Sequence, residues 1–366
     1  MSLLFSPATL GRMTLRNRLV MSPMQQYQGT PESFATAYHV HHYARRARGG
    51  VGLVIVESTA VSPDGRLYPD DIGIFTDAHV PPLAAITQAV HSEGAAIAVQ
   101  LCHGGRKSHP SVRGRLLAPS AIAYDDFYGT PEAMTLTDIG EAVSAFADAA
   151  RRAVIAGFDA IEIHAAHGYL IHQFLSPLTN QRSDAYGGSP ENRARFLAEV
   201  FAAVRAAVGP DYPVIVRVSA TDFAEDGLTP EAVSDALRGL IPLGLDAVDV
   251  SAGALLPLVP EGVGPEYQVP YSEAIRRSLG VPTIAVGLIR NGVRAERILA
   301  EGRADFIAIG RPFLEAPDYS ESLRNQIETL ASRNLAAYEA VRGRFEPAHI
   351  RWIDPGACCS STGACT

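Results

Sequence analysis

The sequence has few cysteines, no long apolar run and no excess of positive charge. Only one of its four cysteines, Cys102, lies outside the last nine of the 366 residues, which excludes a disulfide framework across the chain. No run of eighteen apolar residues offers a membrane-spanning helix, and the net charge of -8 argues against a nucleic-acid partner. The first residues also lack the basic and then apolar pattern of a secretion signal. We therefore expect a cytoplasmic protein with neither a membrane nor a nucleic acid as partner.

Short apolar segments alternate with segments of helical periodicity along most of the chain. Apolar residues make up 47% of the sequence and charged residues 19%, a balance typical of a globular protein with a large core. The predicted strands are 19–24, 51–58, 96–101, 160–163, 214–218, 247–251, 283–286 and 306–309. The predicted helices are 37–48, 82–92, 136–156, 192–208, 230–240, 272–279, 293–301 and 320–331. Eight strand-then-helix units predict an α/β fold, a single (β/α)8 TIM barrel.

The segments on either side of these units differ from them. Residues 4–18 alternate apolar pieces with turns, which predicts a β-hairpin that plugs the bottom of the barrel. We expect the barrel domain to occupy residues 1–333 and a C-terminal extension with a mobile tail to occupy residues 334–366. An open doubly wound sheet is the alternative fold, but the turn after Met24 lacks the Gly-x-Gly-x-x-Gly pattern that such a sheet would use.

Three polar side chains stand where the fourth predicted strand ends. His164, His167 and Tyr169 follow the strand residues Ile161 and Ile163, and barrels place their active sites at the C-terminal ends of strands. Two imidazole N–H groups can hold one oxygen atom, and a phenol can supply a proton. Satisfied core side chains are the alternative, yet three of them clustered at a strand end favour a functional site. The His-x-x-His spacing does not match the zinc motif, so we expect no metal.

Other polar residues interrupt strands or follow them. Gln100 ends the third predicted strand and Arg217 lies within the fifth, and buried groups of this kind need partners. A structural salt bridge is the alternative role for Arg217. Gly287 and the pair Gly310-Arg311 follow the last two strands, where barrels often bind phosphate. A turn with a solvated arginine is the alternative there.

Two long motifs carry a resemblance to a known family. HAAHGYLIHQFLSP, which begins at His164, and NQRSDAYGGSPENRARF, which begins at Asn180, resemble the Old Yellow Enzyme family of flavin-dependent ene-reductases, and especially its bacterial YqjM-like branch. The resemblance extends from about Leu4 to about Leu314. It implies FMN as cofactor, NADPH or NADH as electron donor, and an enone or another activated alkene as substrate. It also implies a homodimer or homotetramer.

The resemblance assigns roles to individual residues. His164 and His167 would bind the carbonyl oxygen of the substrate, Tyr169 would donate the proton, and Tyr27 would contact the substrate. The residues implied to bind FMN are Ser22, Pro23, Met24, Gln25, Ser58, Gln100, Arg217, Gly287, Gly310 and Arg311.

Two positions need separate comment. Where the chain has Gln25, the YqjM-like branch has Cys and many other members have Thr, so we expect Gln25 to change the flavin potential, with its amide N–H directed at the flavin C4 carbonyl. Arg351, followed by Trp352, matches an arginine that in that branch reaches the active site of a neighbouring subunit. We therefore expect Arg351 to help shape the substrate pocket of an oligomer.

Other functions remain compatible with such a site. One is a flavin-dependent dehydrogenase or double-bond isomerase. A second is a dienoyl-CoA reductase, which we do not expect, because that type needs a cysteine-rich module and a further nucleotide domain after a similar barrel. A third is a non-catalytic flavin-binding protein. The fold alone cannot decide among these functions. The combination of His164, His167, Tyr169 and Arg217 favours an enzyme.

Overall fold

The computed structural model describes residues 2–112, 114–258 and 260–333. The predicted C-terminal extension, with Arg351, lies outside the described residues. The strands are β1 (Ala8–Leu10), β2 (Met13–Leu15), β3 (Leu19–Met21), β4 (Leu53–Ala60), β5 (Ala96–Cys102), β6 (Leu117–Ala118), β7 (Glu132–Ala133), β8 (Ala160–Ala165), β9 (Val214–Ser219), β10 (Ala247–Ser251), β11 (Thr283–Ala285) and β12 (Phe306–Ile309). The helices are α1 (Ala37–Arg48), α2 (Val80–Ser92), α3 (Leu136–Ile155), α4 (Leu170–Leu175), α5 (Pro190–Val208), α6 (Pro230–Arg238), α7 (Val269–Leu279), α8 (Gly292–Ala300), α9 (Pro312–Glu315) and α10 (Tyr319–Arg333).

Eight parallel strands close into a barrel in the order β3-β4-β5-β8-β9-β10-β11-β12. Most residues of these strands are buried, as expected where the barrel core covers one face and helices cover the other. The antiparallel pair β1-β2 closes the bottom of the barrel, because Leu10 and Leu15 pack into its interior beside Leu53 and Phe306. The predicted (β/α)8 barrel with its hairpin plug is confirmed.

Local sequence explains where the helices begin. At α3, the Thr135 hydroxyl accepts from the backbone N–H of Asp138 at 3.1 Å, and the Asp138 carboxylate accepts from the N–H of Thr135 at 2.8 Å. This reciprocal pair satisfies two backbone donors that a helix start leaves unbonded. At α5, the Ser189 hydroxyl caps the helix and Pro190 occupies its first turn.

The interior of the barrel has two different halves. Alternate residues of a strand share a face, so on β9 the inward-facing residue above Ile215 is Arg217. Ile215 belongs to an apolar cluster in the lower half of the interior. By the same alternation the residues above that cluster are polar on three other strands: Gln100, Glu162 and Asp249. The fold therefore carries a buried polar layer between an apolar base and the upper mouth of the barrel.

The described residues contain no helix that is both long enough and apolar enough to cross a membrane. Within the same residues, no three His, Cys, Asp or Glu side chains are grouped so that they could hold a metal ion.

Candidate active site

One cavity opens at the C-terminal ends of the barrel strands, with a volume of about 500 Å³. Every predicted site residue in the described part of the chain lines it: Ser22, Pro23, Met24, Gln25, Tyr27, Ser58, Gln100, His164, His167, Tyr169, Arg217, Gly287, Gly310 and Arg311. The roles that the resemblance assigns to these residues stay predictions. Further lining residues were not predicted, among them Leu67, Tyr68, Ser251, Gln268 and Arg290.

Hydrogen bonds fix the orientation of Gln100 in the polar layer. The Ser58 hydroxyl donates to Gln100 Oε1 at 2.7 Å, and Gln100 Nε2 donates to Glu162 Oε1 at 2.7 Å. Burial raises the pKa of Glu162 well above its usual range, and the nearby Asp249 carboxyl adds to this effect. Gln100 therefore donates to a carboxyl group whose protonated form the barrel interior favours.

Arg217 is only weakly paired beside these groups. Its Nε lies 3.4 Å from Asp249 Oδ2, so the salt bridge considered as the alternative role is present. In the described part of the chain, however, neither Arg217 Nε nor the two oxygens of Asp249 have a hydrogen-bond partner. Burial raises the pKa of Asp249, although the charge of Arg217 opposes the shift. A buried cation whose paired carboxylate makes no hydrogen bond to it is costly, so a polar group bound at the cavity wall would stabilise Arg217.

The two histidines and the tyrosine of the predicted cluster lie edge to face. The ring centroids of His164 and His167 are 5.1 Å apart, and those of His164 and Tyr169 are 5.0 Å apart. Burial, and then the positive charge of Arg217, lower the pKa of both histidines well below the usual range. Burial raises the pKa of Tyr169 well above its usual range. At neutral pH all three rings are uncharged, and each carries one N–H or O–H proton.

The hydrogen-bond network indicates where those protons lie. The backbone N–H of Ala166 donates to His164 Nδ1 at 3.3 Å, so the proton of His164 is on Nε2. His167 Nε2 is 2.7 Å from the Ser251 hydroxyl, and His167 Nδ1 is 3.3 Å from His164 Nε2. In these contacts His164 Nε2–H donates to His167 Nδ1, and His167 Nε2–H donates to Ser251. If Ser251 instead donates to Nε2, His167 carries its proton on Nδ1, and both imidazoles can offer an N–H to an oxygen placed between them.

The turn that carries His167 is held by several side chains. His167 has a left-handed backbone, with φ of 57°, which is unfavourable for a residue with a side chain. Its N–H donates to the Ser219 hydroxyl at 3.0 Å. The next N–H, of Gly168, donates to His172 Nδ1 at 2.9 Å, and His172 Nε2 lies 2.9 Å from Asp222 Oδ1. The surrounding strands thus hold the turn in its strained conformation.

Gln25 binds a carboxyl group that sequence reasoning missed. Gln25 Nε2 donates to Asp71 Oδ1, and the expectation that this amide N–H points at a flavin carbonyl stays a prediction. Asp71 Oδ2 accepts from the backbone N–H groups of Leu67 and Tyr68, at 2.7 and 3.0 Å. Burial raises the pKa of Asp71 to about 8, although these N–H donors act in the opposite direction. Asp71 thereby connects the end of β3 to the loop after β4.

Two tyrosines border the outer part of the cavity. The rings of Tyr27 and Tyr68 meet edge to face with centroids 4.9 Å apart, and Tyr27 is 44% exposed. Its backbone is left-handed, with φ of 56°. The predicted substrate-contacting residue therefore stands at the entrance rather than in the core.

Glycines shape the opposite end of the cavity. Gly287 has φ of 121°, and a Cβ there would lie 3.0 Å from Gln268 Cβ. A Cβ on Gly310 would lie 3.2 Å from Met24 Sδ. Backbone amides at these positions stay accessible because no side chain covers them, and Arg290 and Arg311 line the same end. The corner suits a phosphate group.

These features fit the FMN that the resemblance implies. The Ser22 hydroxyl and Arg217 Nε are buried side-chain atoms of lining residues, and neither has a hydrogen-bond partner in the described residues. The polar edge of a flavin ring could satisfy such atoms, with Gln100 beside them, while Gly287, Gly310 and Arg311 receive its phosphate.

A second depression, of about 930 Å³, runs along α10. Among the described residues, its lining contains no His, Cys, Lys or Arg. We therefore locate the chemistry in the smaller cavity.

Comparisons with known proteins identify the family of this chain. The model of the NADH:flavin oxidoreductase / NADH oxidase family matches residues 3–329. An NADPH dehydrogenase of Geobacillus thermodenitrificans (strain NG80-2) is 50% identical over 317 residues, which cover 86% of this chain and 92% of that protein. The solved Old Yellow Enzyme homologue from Zymomonas mobilis is 32% identical, with a TM-score of 0.76 over 88% of this chain and 92% of that one.

A 2-naphthoyl-CoA reductase in complex with 2-naphthoyl-CoA is 26% identical, with a TM-score of 0.84 over 88% of this chain. The chain spans only about half of that protein, 52% of its length. The chain belongs to the NADH:flavin oxidoreductase / NADH oxidase family, to which the Old Yellow Enzymes belong, and is an NAD(P)H-dependent oxidoreductase with FMN as its cofactor.

Proposed function

We propose that this enzyme is an ene-reductase, which reduces the C=C bond of α,β-unsaturated carbonyl compounds. The observation that carries the proposal is the cluster of three uncharged proton-bearing rings, His164, His167 and Tyr169, on one wall of the cavity. Such a wall can bind a carbonyl oxygen and deliver a proton close to it.

The two histidines bind the carbonyl oxygen of the substrate. FMN, when bound, accepts a hydride from NADPH or NADH and supplies one to the alkene. Negative charge then develops on the carbonyl oxygen, where His164 Nε2–H and His167 Nδ1–H stabilise it. Ser251 keeps the proton of His167 on Nδ1 by donating to Nε2, across the 2.7 Å contact. The low pKa of both imidazoles keeps them as neutral donors through the neutral pH range.

Tyr169 supplies the proton to the α-carbon. Its raised pKa keeps the phenol protonated at neutral pH, and its edge-to-face contact with His164 places it beside the oxygen-binding pair. A general acid in such a position contributes a factor of roughly 10² to 10⁴ in rate.

Tyr27 and Arg351 define the outer part of the substrate site in this proposal. Tyr27 lies at the entrance, against Tyr68. Arg351, which lies outside the described residues, would complete the pocket of a neighbouring subunit in a homodimer or homotetramer.

The decisive experiment separates the two half-reactions. The FMN-loaded protein is reduced with NADPH without oxygen and then mixed with 2-cyclohexen-1-one or N-phenylmaleimide. We expect rapid reoxidation of the flavin and one saturated product per flavin. Reduced protein that reacts with oxygen but with neither alkene would contradict the proposal and favour a different dehydrogenase or a flavin-binding protein.

Variants of the cluster test the assigned roles. Tyr169→Phe should slow reoxidation by the alkene roughly 10²-fold or more and leave reduction by NADPH unchanged. The matched control is Tyr212→Phe, since the Tyr212 hydroxyl donates to the carbonyl of Phe158 at the bottom of the barrel. Equal slowing of both half-reactions in Tyr169→Phe would indicate a packing role instead.

His164→Ala and His167→Ala should each slow reoxidation roughly 10²- to 10³-fold while FMN stays bound. They should also weaken the binding of 4-hydroxybenzaldehyde, a phenol whose oxygen stands in for that of the substrate. Parental alkene rates in both variants would exclude an oxygen-binding role.

A further inference from the structure

Lys107 is the only lysine in the sequence. The chain contains 31 lysines and arginines in total, and all the others are arginines. The two side chains are not interchangeable: lysine ends in a compact ammonium with three donors, and arginine in a flat guanidinium. Lys107 lies in the single turn Gly105–Lys107 that directly follows β5. A chain that uses arginine almost everywhere thus places a compact ammonium beside its active site.

The ammonium of Lys107 joins two strained turns. Nζ donates to the carbonyl oxygen of His167 at 2.9 Å and to that of Ala254 at 3.2 Å. Both residues have left-handed backbones, with φ of 57° and 65°, although neither is glycine. They belong to the loops after β8 and β10. The loops touch, because a Cβ on Gly168 would lie 2.5 Å from the Ala254 carbonyl oxygen.

The same ammonium lies against two aromatic rings. Nζ is 4.6 Å from the ring centroid of Tyr124 and 5.0 Å from that of Tyr169, distances at which a cation is attracted to a ring face. Burial, and then the charge of Arg106, lower the pKa of Lys107 to about 8. The protein therefore accepts a cost to keep a cation here, which argues that the contacts with His167 and Tyr169 matter.

We propose that Lys107 is a positioning residue for the reaction, which holds the His167 turn so that the imidazole and the Tyr169 ring stay directed at the substrate oxygen. The inference rests on the proposed function. His167 is then anchored at three points: Ser219 binds its N–H, Ser251 binds its ring, and Lys107 binds its carbonyl oxygen. Loss of the ammonium removes the donor from two carbonyls and lets both left-handed turns relax.

The test measures binding of 4-hydroxybenzaldehyde to the oxidised FMN-loaded enzyme, followed by the flavin absorbance. Lys107→Met should retain FMN and weaken the binding of this phenol roughly 10-fold, the size expected for a lost charged hydrogen bond. Arg115→Met is the matched control, because it removes one positive charge from the same segment between strands. The Arg115 side chain contacts Glu132 and Asp138 rather than the His167 turn. Parental affinity in FMN-loaded Lys107→Met would overturn the proposal.

A double-mutant cycle distinguishes positioning from general packing. If Lys107 acts through His167, Lys107→Met should change the affinity less than about twofold in the His167→Ala background, because the two losses share one cause. Fully additive losses would overturn the proposal.

A spectroscopic test does not depend on the Lys107 variant folding. Labelling the parental holoenzyme with 15N-lysine gives a single side-chain signal, because the chain has one lysine. We expect this signal to shift when 4-hydroxybenzaldehyde binds and in His167→Ala. A signal that neither change moves would overturn the proposal. These readouts need no alkene turnover, so a protein that binds the phenol but reduces no alkene would contradict the proposed function alone.

Discussion

Ile215 and Arg217 are two residues apart on β9, face the same barrel interior, and have opposite surroundings. Ile215 packs against Ile55 and Phe306 in the apolar lower half. Arg217 lies above it, in the layer that contains Glu162 and Asp249, where several buried polar atoms have no hydrogen-bond partner among the described residues. The lower half stabilises the fold through apolar burial, whereas the upper half places charges where burial alone is unfavourable.

The difference teaches where stability and function reside in this barrel. A buried polar layer is tolerable if a bound group completes its hydrogen bonds, and FMN is the group whose shape and polarity fit the cavity above it. The apolar base can then fix the strands while the upper ends serve chemistry, the division expected of a (β/α)8 barrel. The comparison predicts that mutations in the two halves will change different quantities.

Phe306→Ala in the base should have the largest effect on stability. Phe306 is buried in the apolar cluster with the plug residues Leu10 and Leu15, so truncation should cost roughly 3–5 kcal/mol through lost burial and a cavity. Urea unfolding measures the loss, and FMN titration should give a parental affinity in the folded variant. A loss of FMN affinity as large as the loss of stability would break the division between the halves.

Arg217→Met in the polar layer should do the reverse. If Arg217 donates to FMN, as the resemblance implies, its removal should raise the Kd for FMN by about 10- to 100-fold, with little change in the unfolding free energy of the FMN-free protein. The reason is that Arg217 Nε makes no hydrogen bond in the described residues, and its salt bridge with Asp249 is long, at 3.4 Å.

Arg205→Met is the matched control for Arg217→Met. Arg205 also pairs with an aspartate, Asp246, but near the bottom of the barrel, where it also donates to the carbonyls of Gly209 and Gly244. This control should lose stability and keep FMN affinity. If Arg217→Met instead destabilises the FMN-free protein as strongly as the control does, the guanidinium is a structural group.

Asp71→Asn should change how stability depends on pH. Burial raises the pKa of Asp71 to about 8 in the folded protein, whereas an unfolded carboxyl titrates near pH 4. Between these pH values the folded state holds a proton that the unfolded state has released, so the unfolding free energy falls as pH rises. The fall is complete above about pH 8, where the folded carboxyl is ionised as well. The variant cannot ionise, so its unfolding free energy should gain roughly 3–4 kcal/mol relative to that of the parent between about pH 5 and pH 8.

The neighbouring carboxyl provides the control for this prediction. Asp70 is exposed, so Asp70→Asn should leave the pH dependence of urea unfolding as it is in the parent. A parallel pH profile for Asp71→Asn and the parent would show that the N–H donors around Asp71 keep it ionised.

Much of the fold could be predicted because each barrel strand is a short apolar run, and Gln100 and Arg217 stood out because they interrupt such runs. Strand ends were less accurate: Pro23 and Met24 were assigned to the first strand, but it ends at Met21, since proline cannot donate to a ladder. The strands β6 and β7 have two residues each, too few for any periodicity.

The missed site residues are of two kinds. Asp71 and Ser251 act through contacts between distant segments, which no local pattern records. Lys107 could have been noticed, because it is the only lysine in a chain whose other Lys or Arg positions are all arginine. A combined count of lysine and arginine conceals this. Glu162 was also visible, as a carboxyl between two isoleucines of a buried strand.

Gln25→Ala should have the smallest effect, and it distinguishes two roles for the amide. In the structure Gln25 Nε2 donates to Asp71, so the variant should lose about 1 kcal/mol of unfolding free energy and leave the midpoint potential of FMN unchanged. Gln26→Ala is the control, because Gln26 Nε2 donates to the carbonyl of Met24 instead. A lower potential in Gln25→Ala, but not in Gln26→Ala, would show that the amide turns to the flavin once FMN is bound. In that case Gln25, which follows β3, would belong to the groups that tune the cofactor rather than to those that stabilise the fold.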